Sequence, residues 1–333
     1  MKIGADPEFS FQNSDGELVE ASNVMSRVRS CFGLDGCDSI AELRPAPDFN
    51  PSQVVKTIYT DLRRGYMENP DIRDLYWKAG SIAEVSEGYS TGGHIHFGLR
   101  GAVRGLCRSN EDYYRELTRF LDTYLGQVGR LLEDPREAEA RFGEGEYGHL
   151  GDYRSNAHGM EYRVLGSWLS SPRIAEGVLC LAQTVAYQHL WEKKHKIKRD
   201  ISKIAPAHEY SDGDGDGDCI CETDDAAENC DGDCNPPPST PPEFRTAMRL
   251  HRKRFPELRK QIRTFKLYKK HKNAIEFLFT LIEKRKTWFP GKNVDMKAAW
   301  GITSIVSSSP GNLPKKALPP VRFNDIWERA RAK

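Results

Sequence analysis

Short apolar runs alternate with turn signals through residues 1–205, whereas the chain beyond them is dominated by charge, glycine and proline. The first region has the texture of a folded core. Runs bounded by turn-formers predict strands over Lys2 to Phe11, Ser39 to Arg44, Thr91 to Leu99 and Met160 to Ser167. Asn13-Ser14-Asp15-Gly16 turns the first back onto a hairpin partner, Glu17 to Ala21, and Pro45-Ala46-Pro47 stops the second. Asn50-Pro51-Ser52 is a start signal for a helix over Gln53 to Glu68. Leu117, Phe120, Leu121, Tyr124, Leu125, Val128 and Leu131 recur at helical intervals within Glu111 to Glu133, and Pro172 to Lys194 returns to helix.

Three parts follow: a core over 1–205, an acidic Asp/Gly/Cys/Pro-rich insertion over 206–243, and a basic helical region over 244–333 that packs on the core or extends it. The net charge of +1 hides their contrast. Glu209 to Cys234 holds eleven Asp or Glu and no Lys or Arg; Arg245 to Lys286 holds fifteen Lys or Arg against three Glu. Ser211 to Pro242, with its Asp-Gly alternation and proline clusters, lacks the apolar content to fold with the core. Phe244 to Lys286 reads as one or two helices broken near Pro256, carrying Leu258, Ile262, Phe265, Ile275, Leu278, Phe279 and Ile282 inward; the Pro-rich end wraps over the surface. The apolar stretch Val178 to Leu190 is interrupted by Gln183, Gln188 and His189 and is too short to span a bilayer. MKIGADPEF has no secretory h-region, and eight cysteines in so long a chain fit a reducing compartment, so a cytoplasmic protein is expected.

Four segments place two reactive side chains two residues apart: Asp6-Pro7-Glu8, Glu42-Leu43-Arg44, His94-Ile95-His96 and Glu161-Tyr162-Arg163, with Arg154 just upstream of the last. On a strand, residues i and i+2 share a face, so each pair points into one cavity. Carboxylates and imidazoles hold metal ions; arginines hold phosphate or carboxylate. A single such pair is usually a solvated ion pair or a structural histidine pair. Four together, with Gly92, Gly93 and Gly98 leaving room beside the histidines for a ligand or another backbone, favour chemistry.

Other motifs are weaker. Asp212 to Asp218 opens like a calcium loop, but the twelfth position is Thr223, and Cys219, Cys221, Cys230 and Cys234 lack paired zinc spacing. No Walker-A sequence occurs. The basic helices carry Phe265, Tyr268 and Trp288 among their cations, a pattern compatible with nucleic acid, yet a charged helical run is more often a solvated face.

With Gly4-Ala5-Asp6-Pro7-Glu8-Phe9, Ala41-Glu42-Leu43-Arg44-Pro45, Gly92-Gly93-His94-Ile95-His96-Phe97-Gly98 and Met160-Glu161-Tyr162-Arg163 in that order, residues 1–200 resemble the glutamine-synthetase-like carboxylate-amine ligases. The likeness is greatest to the amidoligases called COOH-NH2 ligase type 2, of phages and bacteria. It implies an α+β fold whose curved, mainly antiparallel sheet floors the site, with ATP and magnesium, or manganese, as cofactors. It makes Asp6, Glu8, Glu42, His94 and Glu161 metal ligands, with Asp38 as a further carboxylate near Glu42. Arg154, Glu161 and Arg163 become catalytic, and His96, Arg154 and Arg44 hold the nucleotide. The first acid is Asp where the family has Glu.

The chemistry stands beside the likeness. A carboxylate resists attack by an amine until ATP converts it to an acyl phosphate, a step that gathers negative charge for metal and arginine to neutralise. Small amino acids, peptides, cell-wall fragments and modified nucleobases all suit as substrates, and the wider superfamily often assembles into oligomers. Competing readings are a guanidino-kinase type phosphotransferase and a non-catalytic phage-related binding protein.

Overall fold

The computed structural model describes residues 1–25, 31–35, 38–81, 90–99, 101–134, 137, 148–206, 242–287 and 295–302. The acidic insertion from 207 to 241 and the Pro-rich end from 303 lie outside the described residues, as do the calcium-loop and zinc readings.

The architecture is α+β with an open antiparallel sheet. Its strands are β1 (Lys2–Gln12), β2 (Leu18–Val19), β3 (Phe32–Leu34), β4 (Ala41–Leu43), β5 (Tyr76–Lys78), β6 (Gly93–Gly98), β7 (Tyr153–Asn156) and β8 (Gly159–Tyr162). They lie in the order β3-β4-β1-β6-β8-β7, with β2 and β5 also paired to β1. The strand β1 is long enough to serve all four partners, β4 and β6 along its first residues and β2 and β5 at Ser10 to Gln12. Ile3, Ala5, Phe9 and Phe11 of β1 are buried, as are Ile95 and Phe97 of β6 and Met160 and Tyr162 of β8. This apolar face packs on helices, and the residues between form the other face.

The helices are α1 (Ala21–Val24), α2 (Pro51–Glu68), α3 (Asn110–Leu121), α4 (Gln127–Leu132), α5 (Pro172–Lys194), α6 (Pro242–Ile262), α7 (Tyr268–Glu283) and α8 (Met296–Ala299). Asn50 caps α2, its side chain accepting from Ser52 N, with Pro51 at the first turn as its start signal predicts. The predicted helix over 111–133 is interrupted by a π-helical turn at Asp122–Gly126. That turn sets Asp122 Oδ1 2.8 Å from the Tyr162 hydroxyl, so the helix grips the back of β8 through a buried bond. Most of α5 is buried, because α2, α3 and α7 all pack against it. A side chain at Gly177 would meet Leu278 within 2.8 Å, which measures how closely α5 and α7 approach.

Two expectations are corrected. The strand from Met160 ends at Tyr162: the next residues turn across the sheet edge, where Leu165 accepts from Gly93 N at 2.8 Å and Gly166 bridges Gly92. Val164, Leu165 and Trp168 are apolar because they are core, a case periodicity cannot separate from strand. Pro256 lies inside α6, and the break comes at Arg263 to Leu267. Proline forfeits one helical hydrogen bond, and the buried Phe255, Leu258 and Ile262 hold the helix through it. The basic run is partly neutralised from within, Arg259 and Arg263 both meeting Glu276 at 2.7 and 2.8 Å. No helix among the described residues is long and apolar enough to cross a membrane. Cys31, Cys107 and Cys180 are free thiols.

Two buried histidines set an acid limit. His189, against the Tyr113 hydroxyl at 3.1 Å, is pulled down to about 3 by burial and then Lys193; His271, against Gln183 Oε1 at 3.1 Å, is pulled down to about 4 by burial and then Lys270. Each is neutral when folded and takes a proton when unfolded, at about 6.5. The stability they confer is complete above that pH and is lost as pH falls toward the folded values. His189 alone steepens the loss by up to about 1.4 kcal/mol per pH unit. Urea unfolding between pH 7 and 4.5 should show a flatter dependence for His189→Gln; an unchanged slope contradicts the account.

Candidate active site

Register alone puts the predicted residues on one face. Glu42 on β4 pairs with Glu8 on β1, Asp6 on β1 with His94 on β6, His96 on β6 with Glu161 on β8, and Glu161 with Arg154 on β7. Directly opposed residues of an antiparallel pair point the same way, and so do residues two apart. One row of seven side chains therefore crosses five adjacent strands. A one-residue slip in any pairing would turn part of it into the core.

His94 stands at the centre, with Nδ1 3.5 Å from Glu161 Oε1, 3.7 Å from Glu8 Oε1 and 3.9 Å from Asp6 Oδ1. His96 Nε2 lies 2.9 Å from Asp6 Oδ2. Arg154 donates to Glu161 Oε2 from Nε at 2.9 Å and from Nη2 at 2.8 Å, and Arg163 Nε lies 3.4 Å from Glu161 Oε1. Arg44 pairs with Glu42 and donates to the Leu34 carbonyl at 2.7 Å. Asp6, His96 and Glu161 each offer a ligand atom, all within 4.8 Å of one another. Asp6 Oδ1 and Glu161 Oε1 are buried and have no hydrogen-bond partner.

The sequence model of the phage phiEco32-like COOH.NH2 ligase-type 2 family matches residues 3–215. The chain belongs to that family. The match spans all the paired motifs. Among solved structures, a bifunctional glutathione synthetase from Pasteurella multocida superposes with a TM-score of 0.40 at 11% identity, over 92% of this chain and 49% of that one. The chain spans about half the length of that protein. Comparison with curated protein sequences returns no match.

The site crowds like charge. Glu42 is pushed up to about 9 by burial and then by Asp6, with Asp35 and Glu8 adding to the rise and Arg44 opposing it. Glu161 is raised by burial and then by Asp6, against His96 and Arg154. Burial also pushes Asp6 upward, but the hydrogen bond and charge of His96 outweigh it and hold the carboxyl below its usual range. The same contact raises His96 against burial. Arg163 is lowered by burial, although Glu8, Asp6 and Asp35 favour its charge.

Asp38 is not brought into this row. It is exposed on the segment before β4, and the acid whose charge reaches both Glu42 and Arg163 is Asp35. Asp35 follows β3, which pairs Gly33 with Glu42; a three-residue strand gave no pattern by which to find it. The glycines also differ from one another. A Cβ on Gly92 would lie 2.2 Å from His94 Nε2, and one on Gly93 would lie 2.5 Å from the Gly166 carbonyl and from the Trp168 ring. The space they leave is thus taken by the His94 ring and by the returning chain. Gly92 N also donates to Glu8 Oε2 at 2.5 Å, orienting that carboxylate.

Proposed function

We propose that the protein is a carboxylate–amine ligase that depends on ATP and magnesium, passes through an acyl phosphate, and uses a sheet of the glutamine-synthetase kind. The row of four carboxylates, two histidines and Arg154 across five strands carries this reading. The donor set suits a hard divalent cation, with oxygen ligands outnumbering imidazole, so magnesium is favoured and manganese tolerated. Two buried carboxylate oxygens lack hydrogen-bond partners, and Glu42 and Glu161 are held toward neutrality first by burial and then by crowding with Asp6, both of which a cation would offset. Asp6, Glu8, Glu42, His94 and Glu161 would hold it, with Asp35 in the place foreseen for Asp38. Bound there, the cation supplies charge neutralisation at the phosphate oxygens of ATP.

The remaining groups divide the anion. The Arg154 side chain is 59% exposed and reaches over the row, so it would contact the phosphoryl group in transfer; Arg163 is 15% exposed and sits deeper, suited to the substrate carboxylate. His96 and Arg44 would face the nucleotide phosphates. A carboxylate oxygen of the acid attacks the γ-phosphorus and ADP leaves with the bonding pair. The amine nitrogen then attacks the acyl carbon, phosphate departs, and the amine's proton passes to phosphate or solvent.

This reading assigns the chemistry to residues 1–205, leaves 206–243 as an insertion, and gives 244–333 a packing role. Its acid and amine are small molecules or peptides. Calorimetry should detect ATP binding that EDTA abolishes, and a panel of carboxylic acids with ATP, magnesium and hydroxylamine should yield a hydroxamate together with ADP. ATP binding indifferent to EDTA, or a stable phosphorylated product without hydroxamate, overturns it; the latter marks a phosphotransferase.

A further inference from the structure

His96 offers two nitrogens, and the structure fixes what each can do. Asn156 closes the β7–β8 turn: its Oδ1 accepts from His158 N at 3.0 Å and from Gly159 N at 2.9 Å. The amide is therefore oriented by two backbone donors, and its Nδ2 faces His96 Nδ1 at 3.3 Å. An amide nitrogen only donates, so Nδ1 must present its lone pair. In a neutral imidazole the proton then sits on Nε2, which points at Asp6 Oδ2 2.9 Å away. Both nitrogens are spoken for. Such a ring has no lone pair left for a cation.

We propose that Asn156 is a positioning residue that holds His96 as an Nε2–H donor beside Asp6 and so reserves metal ligation for His94. This rests on the functional reading above for its consequence in turnover, and on hydrogen-bond geometry alone for the ring. The sequence gives a reason for Asn here. Asp at 156 would keep both turn contacts, but it would face Nδ1 with an acceptor and draw a second proton onto that nitrogen, because Asp6 still holds the one on Nε2.

The test compares Asn156→Asp, which preserves the turn, with Ala157→Asp, which adds the same charge at an exposed neighbour. In wild-type protein without metal or nucleotide, nitrogen NMR of the His96 ring should show the proton on Nε2. In Asn156→Asp, where each ring nitrogen faces a carboxylate, Nδ1 should gain a proton while Nε2 keeps its own, with MgATP affinity falling about 10–100-fold, the usual cost of losing such an outer partner. Ala157→Asp should leave the ring spectrum as in wild type and MgATP affinity within about twofold. A wild-type proton on Nδ1, an unaltered ring in Asn156→Asp, or an altered ring with unchanged MgATP affinity overturns the proposal. A wild-type protein with the Nε2 proton that binds no MgATP sinks the ATP-dependent reading and leaves the ring assignment standing.

Discussion

Glu161→Gln should weaken MgATP binding by about 100-fold or more while leaving the fold intact. The carboxylate hydrogen-bonds Arg154 through Oε2, and its Oε1 lies at ion-pair distance from Arg163 and His94, 3.4 and 3.5 Å away. An amide offers a single acceptor oxygen. If it stays with Arg154, the NH2 confronts Arg163 and His94, and the anionic ligand is lost in either orientation. Removing one ligand from a charge-neutralising metal site costs several kcal/mol, which at about 1.4 kcal/mol per decade gives that loss. The metal-free protein has less at stake, because burial and Asp6 already disfavour the charged form of Glu161. Its melting temperature should fall by only a few degrees, matching about 1–2 kcal/mol for weakened contacts to the Arg154 and Arg163 guanidiniums. Calorimetric titration with MgATP measures the first effect and circular dichroism the second. Wild-type affinity in this variant contradicts the assignment of Glu161.

Gly93→Ala should destabilise the protein by about 1–3 kcal/mol, whereas Gly98→Ala should stay within about 0.5 kcal/mol of wild type. The two glycines flank the same histidines, but their surroundings differ. A methyl at Gly93 would press on the Gly166 carbonyl and the Trp168 ring at 2.5 Å, and Trp168 Nε1 also donates to the Gly93 carbonyl at 2.9 Å. Backbone must yield there, and the start of β6 moves with His94 upon it. At Gly98 the nearest atom would be Lys2 Cβ at 3.4 Å, an ordinary contact. Urea midpoints for the two variants decide the matter, and equal values would show that the returning chain does not clamp β6.

Much of the site was legible because strand geometry is local. Asp6 with Glu8, His94 with His96 and Glu161 with Arg163 need only extended backbone to share a side, and their order along the chain matched a family whose membership residues 3–215 bear out. The long helices were equally plain: the start signal before Pro51 and the run from Pro172 to Lys194 carry local caps and spacing. What escaped were elements that exist through their neighbours. The strand β7, with Arg154 and Ser155 exposed, is an edge defined by pairing to β8, and β3 and β5 have three residues each. Asp35 and Asn156 were missed for this reason.

The spacing of reactive residues was therefore enough to say which groups face together within each strand, since side-chain direction repeats every two residues whatever lies alongside. Which strand lies beside which is a different matter, settled by hydrogen bonds between segments far apart in the chain. Pairing Asp6 with His94 and His96 with Glu161 joined separate pairs into one row. The same long-range packing turned the glycines' free space into a seat for Trp168 and left Asp38 at the surface.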